Sequence, residues 1–354
     1  MKEYISFDCH KHYTLAERQD AQSGQIRQQR IEHERGAIRQ WLLKNVAPNT
    51  AVAVEATGNW YWIVGEIEQA YCKPLLIHPR KAKLMMGIIN KTDKIDVHGF
   101  NRLQQAGTLP TVWIPPAPLR DLREITRLRM VLACQRTRLK NRISSTLTKY
   151  ALSLNDASDA YAARVRPALL IHIAALPEQA QWASQMMLKQ LDFIQDQIGQ
   201  QELRLQQLLV ITPQMQLLMS LPGVGLILAA VIVLEIGDIN RFASAPRLAS
   251  YAGTTPRVIA SGGHVRYGQL RNDVNRYLKW AFVEAGNSVA LNHKRCPQRH
   301  VSQLYVRVQM RRGHAKAIGA VARHLAESTW HVWMRNEPYK DPILKGRSRE
   351  MSAR

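Results

Sequence analysis

The sequence predicts an α/β segment followed by a helical one. Three observations lead there. Short apolar strands alternate with amphipathic helices over residues 1–115. Long stretches between Leu119 and Leu209 keep three- and four-residue apolar spacing. A proline-rich break, "TVWIPPAPLR", separates the two.

Within the first segment, "EYISFD" and "YTLAER" read as an early hairpin and "QIRQQRIEH" as a third strand. "ERGAIRQWLLKN" is an amphipathic helix, "TAVAVEAT" a strand, "WYWIVGEIEQAY" a helix, and "KPLLIHP" a short buried strand before "RKAKLMMGI". "NKTDKIDVHGF" opens another helix, continued by Phe100, Leu103 and Gln104 and stopped at Gly107. An antiparallel start followed by strand–helix alternation suits a ribonuclease-H-like sheet. Residues 116–210 read as a basic helix from Leu119 to Tyr150, then a stretch from Met187 to Leu209 that fits a short coiled coil or an ordinary helical hairpin equally well. Residues 211–340 read as mainly helical. There "SLPGVGLILAAVIVLEIGDI" puts Gly223 and Gly225 before an apolar helix, as in a helix-hairpin-helix phosphate contact or a plain helical turn. The basic tail 341–354 is expected to be disordered.

The 354 residues carry a formal net charge of +22, which calls for a polyanionic partner, nucleic acid first. The excess is uneven: 14 Lys/Arg against 11 Asp/Glu over residues 1–100, and 18 against 6 over residues 261–354. On the helix from Leu119, Arg120, Arg123, Arg127, Arg136, Arg138, Lys140 and Arg142 form the expected phosphate-gripping stripe, unless they are a solvated face. Cys9, Cys72, Cys134 and Cys296 form no CxxC pair, which argues against a zinc site or disulfide framework and for a reducing compartment. No signal-peptide pattern opens the chain, and the apolar run Val224–Leu234 falls short of the about 20 residues that a bilayer needs. The expectation is a cytoplasmic protein, bound to the nucleoid when acting, with no membrane partner.

Four acids stand out. Asp8 and Glu55 each end an apolar strand, and Asp93 and Asp96 share one face of a helix. If the first and fourth strands are adjacent, the four converge. Unpaired, such a cluster is costly. With Mg²⁺ or Mn²⁺, its oxygen ligands would make a phosphoryl-transfer site. Taken singly, Asp93 could cap its helix, Asp8 could cap a turn, and Glu55 could be a solvated strand end. Cys9, His10 and His12 read as exposed strand residues rather than ligands.

Asp8 in "SFDCHK", Glu55 in "VAVEATGNWYW", and Asp93 and Asp96 in "NKTDKIDVHGF" resemble the DEDD tetrad of the IS-one-ten (IS110) family of insertion-sequence transposases. "SLPGVGLILAAVIVLEIGDINRFASAPRLASYAGTTPRVIASGG" resembles that family's C-terminal domain, and "GHAKAIGAVARHLAESTWHVW" its closing helix. The resemblance covers roughly residues 3–340. It implies a Holliday-junction-resolvase-like N-terminal domain, a coiled-coil linker, and a C-terminal domain with a nucleophilic serine, which matches Ser261. It also implies Mg²⁺ on the tetrad, donor and target DNA, a structured guide (bridge) RNA, and a homo-oligomer, dimer or tetramer. Departures are Val97 where alanine is frequent, Val274 where glycine precedes Asn275, and Lys279 where arginine is common.

Ser261 has no recognisable His/Asp triad spacing, so activation by the tetrad's metals is the economical idea. Gly262 and Gly263 would let DNA come close, with Arg266 beyond them as a phosphate contact. Without the resemblance, a Ser-Gly-Gly turn is the simpler account. The rival functions are a metal-only junction resolvase or nuclease, and a non-catalytic nucleic-acid-binding regulator on a resolvase-like fold.

Overall fold

A computed structural model describes residues 3–87, 93–152, 159–270 and 274–342, with the backbone alone at Asp93 and Lys94. The chain divides into two compact units, Met1–Ala117 and Pro118–Arg354. Most of the expected basic tail, from residue 343 on, lies outside the described residues.

The first unit is a five-stranded mixed sheet with helices on both faces. Its elements run β1 (Glu3–Cys9), β2 (Tyr13–Asp20), β3 (Ile26–Glu32), α1 (Ala37–Asn45), β4 (Ala51–Glu55), α2 (Trp60–Gln69), β5 (Lys73–Ile77), α3 (Pro79–Met86) and α4 (Asp93–Gln105). The spatial order is β3-β2-β1-β4-β5. β1 pairs antiparallel with β2 and parallel with β4, and β4 pairs parallel with β5. The two-residue period of a strand sorts the side chains. Ile5, Phe7, Val52 and Val54 face one way, into a core closed by Ile38 and Leu42 of α1 and Ile63 and Ile67 of α2. Ala53 and Ile77 face the other way and pack on Phe100 of α4. A mixed sheet buried on both faces needs this apolar supply on each side. α2 also caps its neighbour: the Glu66 carboxylate accepts from Gly36 N at 3.1 Å and Arg39 N at 3.0 Å, satisfying orphan donors at the start of α1.

The second unit is mostly helical. α5 (Ala117–Lys149), α6 (Arg166–Ala174) and α7 (Glu178–Leu208) pack together: Ile143 and Leu147 meet Leu188, Leu191, Leu169 and Ile173, and Leu132 meets Ile194 and Ile198. The apolar seam of α7 is thus buried within the chain. Its outer side leaves Trp182, Phe193 and Leu203 exposed. Then come α8 (Pro213–Leu218), α9 (Leu226–Ile236), α10 (Ala245–Tyr251), α11 (Arg276–Asn292), α12 (His300–Arg312) and α13 (His314–Arg335), sharing one large core.

An antiparallel hairpin, β6 (Pro256–Ser261) with β7 (His264–Leu270), interrupts the helices. The hairpin corrects the expectation of a mainly helical region here. Its signal was nonetheless present: β-branched residues flank a two-residue Gly-Gly loop, and Gly262 and Gly263 both take positive φ, at 55° and 79°.

Candidate active site and nucleic-acid contacts

Asp8 and Glu55 are brought together by strand register. Phe7 stands beside Val54, so the next residues on the two parallel strands, Asp8 and Glu55, stand side by side on the face that carries α4. Their carboxyl groups are near enough for Asp8 to act on Glu55. Asp8 is buried, Glu55 half-buried. Burial, then the Asp8 charge, raise the Glu55 carboxyl above the usual carboxylate range. Lys83 of α3 pulls it back in part, and Asp96 adds to the rise.

Asp96 reaches this neighbourhood because α4 is fastened to the sheet by polar contacts. Ser6 Oγ donates to the Val97 carbonyl at 2.7 Å, and Asn101 Nδ2 donates to Glu17 Oε1 at 3.0 Å. His98 Nδ1 lies 3.1 Å from the same oxygen, and Gln28 Nε2 donates to Glu17 Oε2 at 2.7 Å. Glu17 is fully buried and is not among the acids that stand out in the sequence. Its partners lie on β3 and α4, far along the chain, so no local pattern marks it. Asp96 is buried at 8% exposure, on the strand-facing side of α4. Asp93 begins that helix, and its side chain lies outside the described residues.

Cys9, expected to be exposed, is buried, and burial pushes its thiol up to about 12. His10, also expected on an exposed strand, is half-buried with Nε2 3.3 Å from Asp8 Oδ2. His12 is exposed. Among the described residues no group of three or more His, Cys, Asp or Glu side chains forms a ready-made metal cage. The donor set present at the sheet edge is carboxylate oxygen, which fits Mg²⁺ or Mn²⁺ rather than a soft metal.

The basic stripe splits in two. Arg120 and Arg123 are 6% and 4% exposed, which corrects the expectation that they face solvent. Arg123 donates to the Leu234 and Glu235 carbonyls at 2.8 and 2.9 Å, at the end of α9. Arg127 is committed as well: its Nε donates to Glu235 Oε1 at 2.8 Å, and its guanidinium lies 4.6 Å from the Tyr277 ring centroid. The reason is Glu235, fully buried at the end of an apolar helix and in need of cations. Further along α5, Arg138 and Arg142 are exposed and Arg136 is half-buried, while Lys140 pairs with Asp159 at 3.1 Å.

In the turn between α8 and α9, Gly223 has φ 79°, and a Cβ there would stand 2.4 Å from the Ala285 carbonyl oxygen. The positive φ and the close approach of α11 require glycine at this position. Gly225 precedes α9 as its N-cap. Ser261 is exposed at the end of β6, opposite His264, with Arg266 exposed on β7. Val274, where the resembled family has glycine, is accommodated by Gly253, since a Cβ on Gly253 would stand 2.4 Å from Val274 Cγ2.

Residues 5–152 match the DEDD-type IS110 transposases, a family described as "Transposase", and residues 215–302 match the "Transposase IS116/IS110/IS902 family". The chain belongs to the IS110 family of insertion-sequence transposases. Among its relatives, the transposase for insertion sequence element IS1111A of Coxiella burnetii is 22% identical over 71% of this chain and 69% of that one. The putative transposase y4pF/y4sB of Sinorhizobium fredii is 25% identical over 83% and 75%. The transposase for insertion sequence element IS1328 of Yersinia enterocolitica is 21% identical over 80% and 84%. The transposase has no helix, among its described residues, long and apolar enough to cross a membrane.

Proposed function

We propose that this transposase cuts and exchanges DNA strands through a covalent Ser261–DNA phosphodiester, using Mg²⁺ or Mn²⁺ held by Asp8, Glu55, Asp93 and Asp96. In this reading residues 1–115 are a ribonuclease-H-like catalytic part, residues 116–210 a linker, and residues 211–340 the part that carries the serine. One observation carries it. Strand register sets Asp8 and Glu55 side by side, and their mutual repulsion is the kind that a divalent cation relieves. A bound divalent cation would offset charge on the phosphate and on the attacking oxygen. The chain's own groups do the rest. Asp8, Glu55 and Asp96 would present oxygens to the cation, while Ser6, Asn101 and Glu17 fix α4 on the sheet.

At Ser261 the hydroxyl loses its proton, Oγ bonds to phosphorus, and the bond from phosphorus to one sugar oxygen breaks. That oxygen leaves as a hydroxyl, and the ester is kept for attack by a second strand's hydroxyl, which restores the serine. Donor and target DNA are the substrates. A structured guide RNA selects them, as the family resemblance implies, and the net charge of +22 suits so much phosphate. The exposed Trp182, Phe193 and Leu203 on α7 are the surface we assign to a homo-oligomer contact. The cell compartment is the bacterial cytoplasm.

The exposed position of Ser261 beside a Gly-Gly loop also suits the rival, a metal-only nuclease in which the serine is a turn residue. Denaturing electrophoresis of labelled DNA separates the two. Wild type should give a protein–DNA adduct that Ser261→Ala lacks while keeping nucleic-acid binding. Free nicked ends from both proteins would establish the rival.

A further inference from the structure

Between Glu284 and Glu327 the chain contains no acidic residue, yet it holds Lys294, Arg295, Arg299, Arg307, Arg311, Arg312, Lys316 and Arg323. Part of this charge rims a groove of ≈ 890 Å³ between the α11–α12 connection and α12. Lys294, Arg307 and Arg311 stand on the groove with Pro297, Val306 and Met310 among them. Arg307 and Arg311 are one helical turn apart, so they follow one edge of α12. Val306 and Met310, also one turn apart, run beside them, with Met310 83% exposed. The opposite side of α12, Val301 and Tyr305, is in the core and holds the helix in place. Among the described residues no acid pairs with Lys294, Arg307 or Arg311.

We infer that this groove binds a single DNA strand. The cations supply a row of phosphate contacts. The apolar row beside them decides the form of the polymer. A duplex presents sugar and phosphate at its surface and would leave Val306 and Met310 unmatched. A single strand can turn its bases onto them while its phosphates meet Arg307 and Arg311. A protein that opens and exchanges strands has such a strand to hold, and only the choice of DNA over another polymer rests on the transposase reading. The groove lies away from Ser261 in sequence and uses none of the residues assigned to the chemistry.

The test is fluorescence anisotropy of the full chain with labelled oligothymidine, with a DNA duplex and with an RNA strand of equal length, in buffer without divalent metal. Binding is then read whether or not the proposed cleavage chemistry is right. Arg307→Ala with Arg311→Ala should weaken single-strand binding at least tenfold and flatten its salt dependence by about 1.4 log units, roughly 0.7 per phosphate. Met310→Ala should weaken it about fivefold and leave the salt slope unchanged. Duplex binding should fall less with either variant. These side chains are exposed, and thermal melts should match wild type. The inference is overturned if Met310→Ala has no effect, if the duplex loses as much affinity as the single strand, or if the RNA strand is held more tightly than the DNA strand.

Discussion

Glu235 and Glu55 are both drawn into the interior of their units, and the two units treat them in opposite ways. Around Glu235 the chain supplies its own counter-charge. Arg127 donates to both carboxylate oxygens, at 2.8 and 3.3 Å, Asn275 Nδ2 donates at 2.8 Å, and Arg123 Nε stands 3.7 Å away. Around Glu55 the chain supplies more acid: Asp8 beside it and Asp96 close enough to be felt, with Lys83 a weaker opposing influence than Asp8. A buried acid with its cations built in is a structural joint, here between α5, α9 and the start of α11. An acid set beside other acids is held in a state that the folded chain alone leaves unfavourable, and this is the ground on which we propose an added cation there.

The comparison breaks most visibly at the joint. Glu235→Ala removes the carboxylate that Arg127 and Asn275 bond and that offsets the buried Arg123 charge, and losing one partner of a buried pair costs about 3–5 kcal/mol. Thermal denaturation should show the helical unit melting far earlier. A change below about 1 kcal/mol would mean that the joint is not structural. At the sheet edge the sign reverses. Without metal, Glu55→Gln removes repulsion from a partly solvated site and should stabilise the first unit by roughly 0.5 kcal/mol.

Acidity sharpens the contrast. Glu55 has a raised folded value, so its contribution to stability is fully present below its ordinary 4.5 and is lost as pH rises through the folded value. His324 runs the other way. Burial, then the neighbouring His300, lower its folded value, against smaller opposing effects of Glu327 and Asp341. Its contribution is present above its ordinary 6.5 and is lost as pH falls through the folded value. Melts from about pH 4 to about pH 8 should therefore show the helical unit weakening on acidification, an effect reduced in His324→Gln. Equal pH dependence in that variant would remove His324 from the account.

The smallest effect is on the outer end of α5. Arg138→Ala and Arg142→Ala should each move stability by less than about 0.5 kcal/mol. Each should also lower the salt slope of nucleic-acid binding by about 0.7–0.9 if it contacts a phosphate. An unchanged slope would make them a solvated face.

The division between these residues explains what the sequence could disclose. Asp8 and Glu55 were legible because each breaks an apolar strand where it ends, and one inference about strand adjacency then joins them. The sheet was legible for the same reason: its strands are short, regular and separated by turn residues. Arg123 and Arg127 were misread because a 33-residue helix with cations on several sides does not say which side is covered. The missing signal was Glu235, the one acid in "LILAAVIVLEI", which requires a partner from elsewhere. The packing demand on Gly223 is not legible in sequence because it comes from α11, more than fifty residues away. Glu17 was invisible because its partners, His98 and Asn101, become neighbours only when α4 lies on the sheet.

Calorimetric titration of the full chain with Mg²⁺ and Mn²⁺, in parallel with thermal melts, tests the central claim most directly. Wild type should bind, and its first unit should gain about 1.4 kcal/mol for each tenfold rise in metal above the dissociation constant. Asp8→Asn with Glu55→Gln should lose both the binding heat and the gain, while Arg138→Ala, at the far end of α5, should keep them. Wild type without metal-dependent stabilisation, or a double variant that binds as wild type does, would contradict the account.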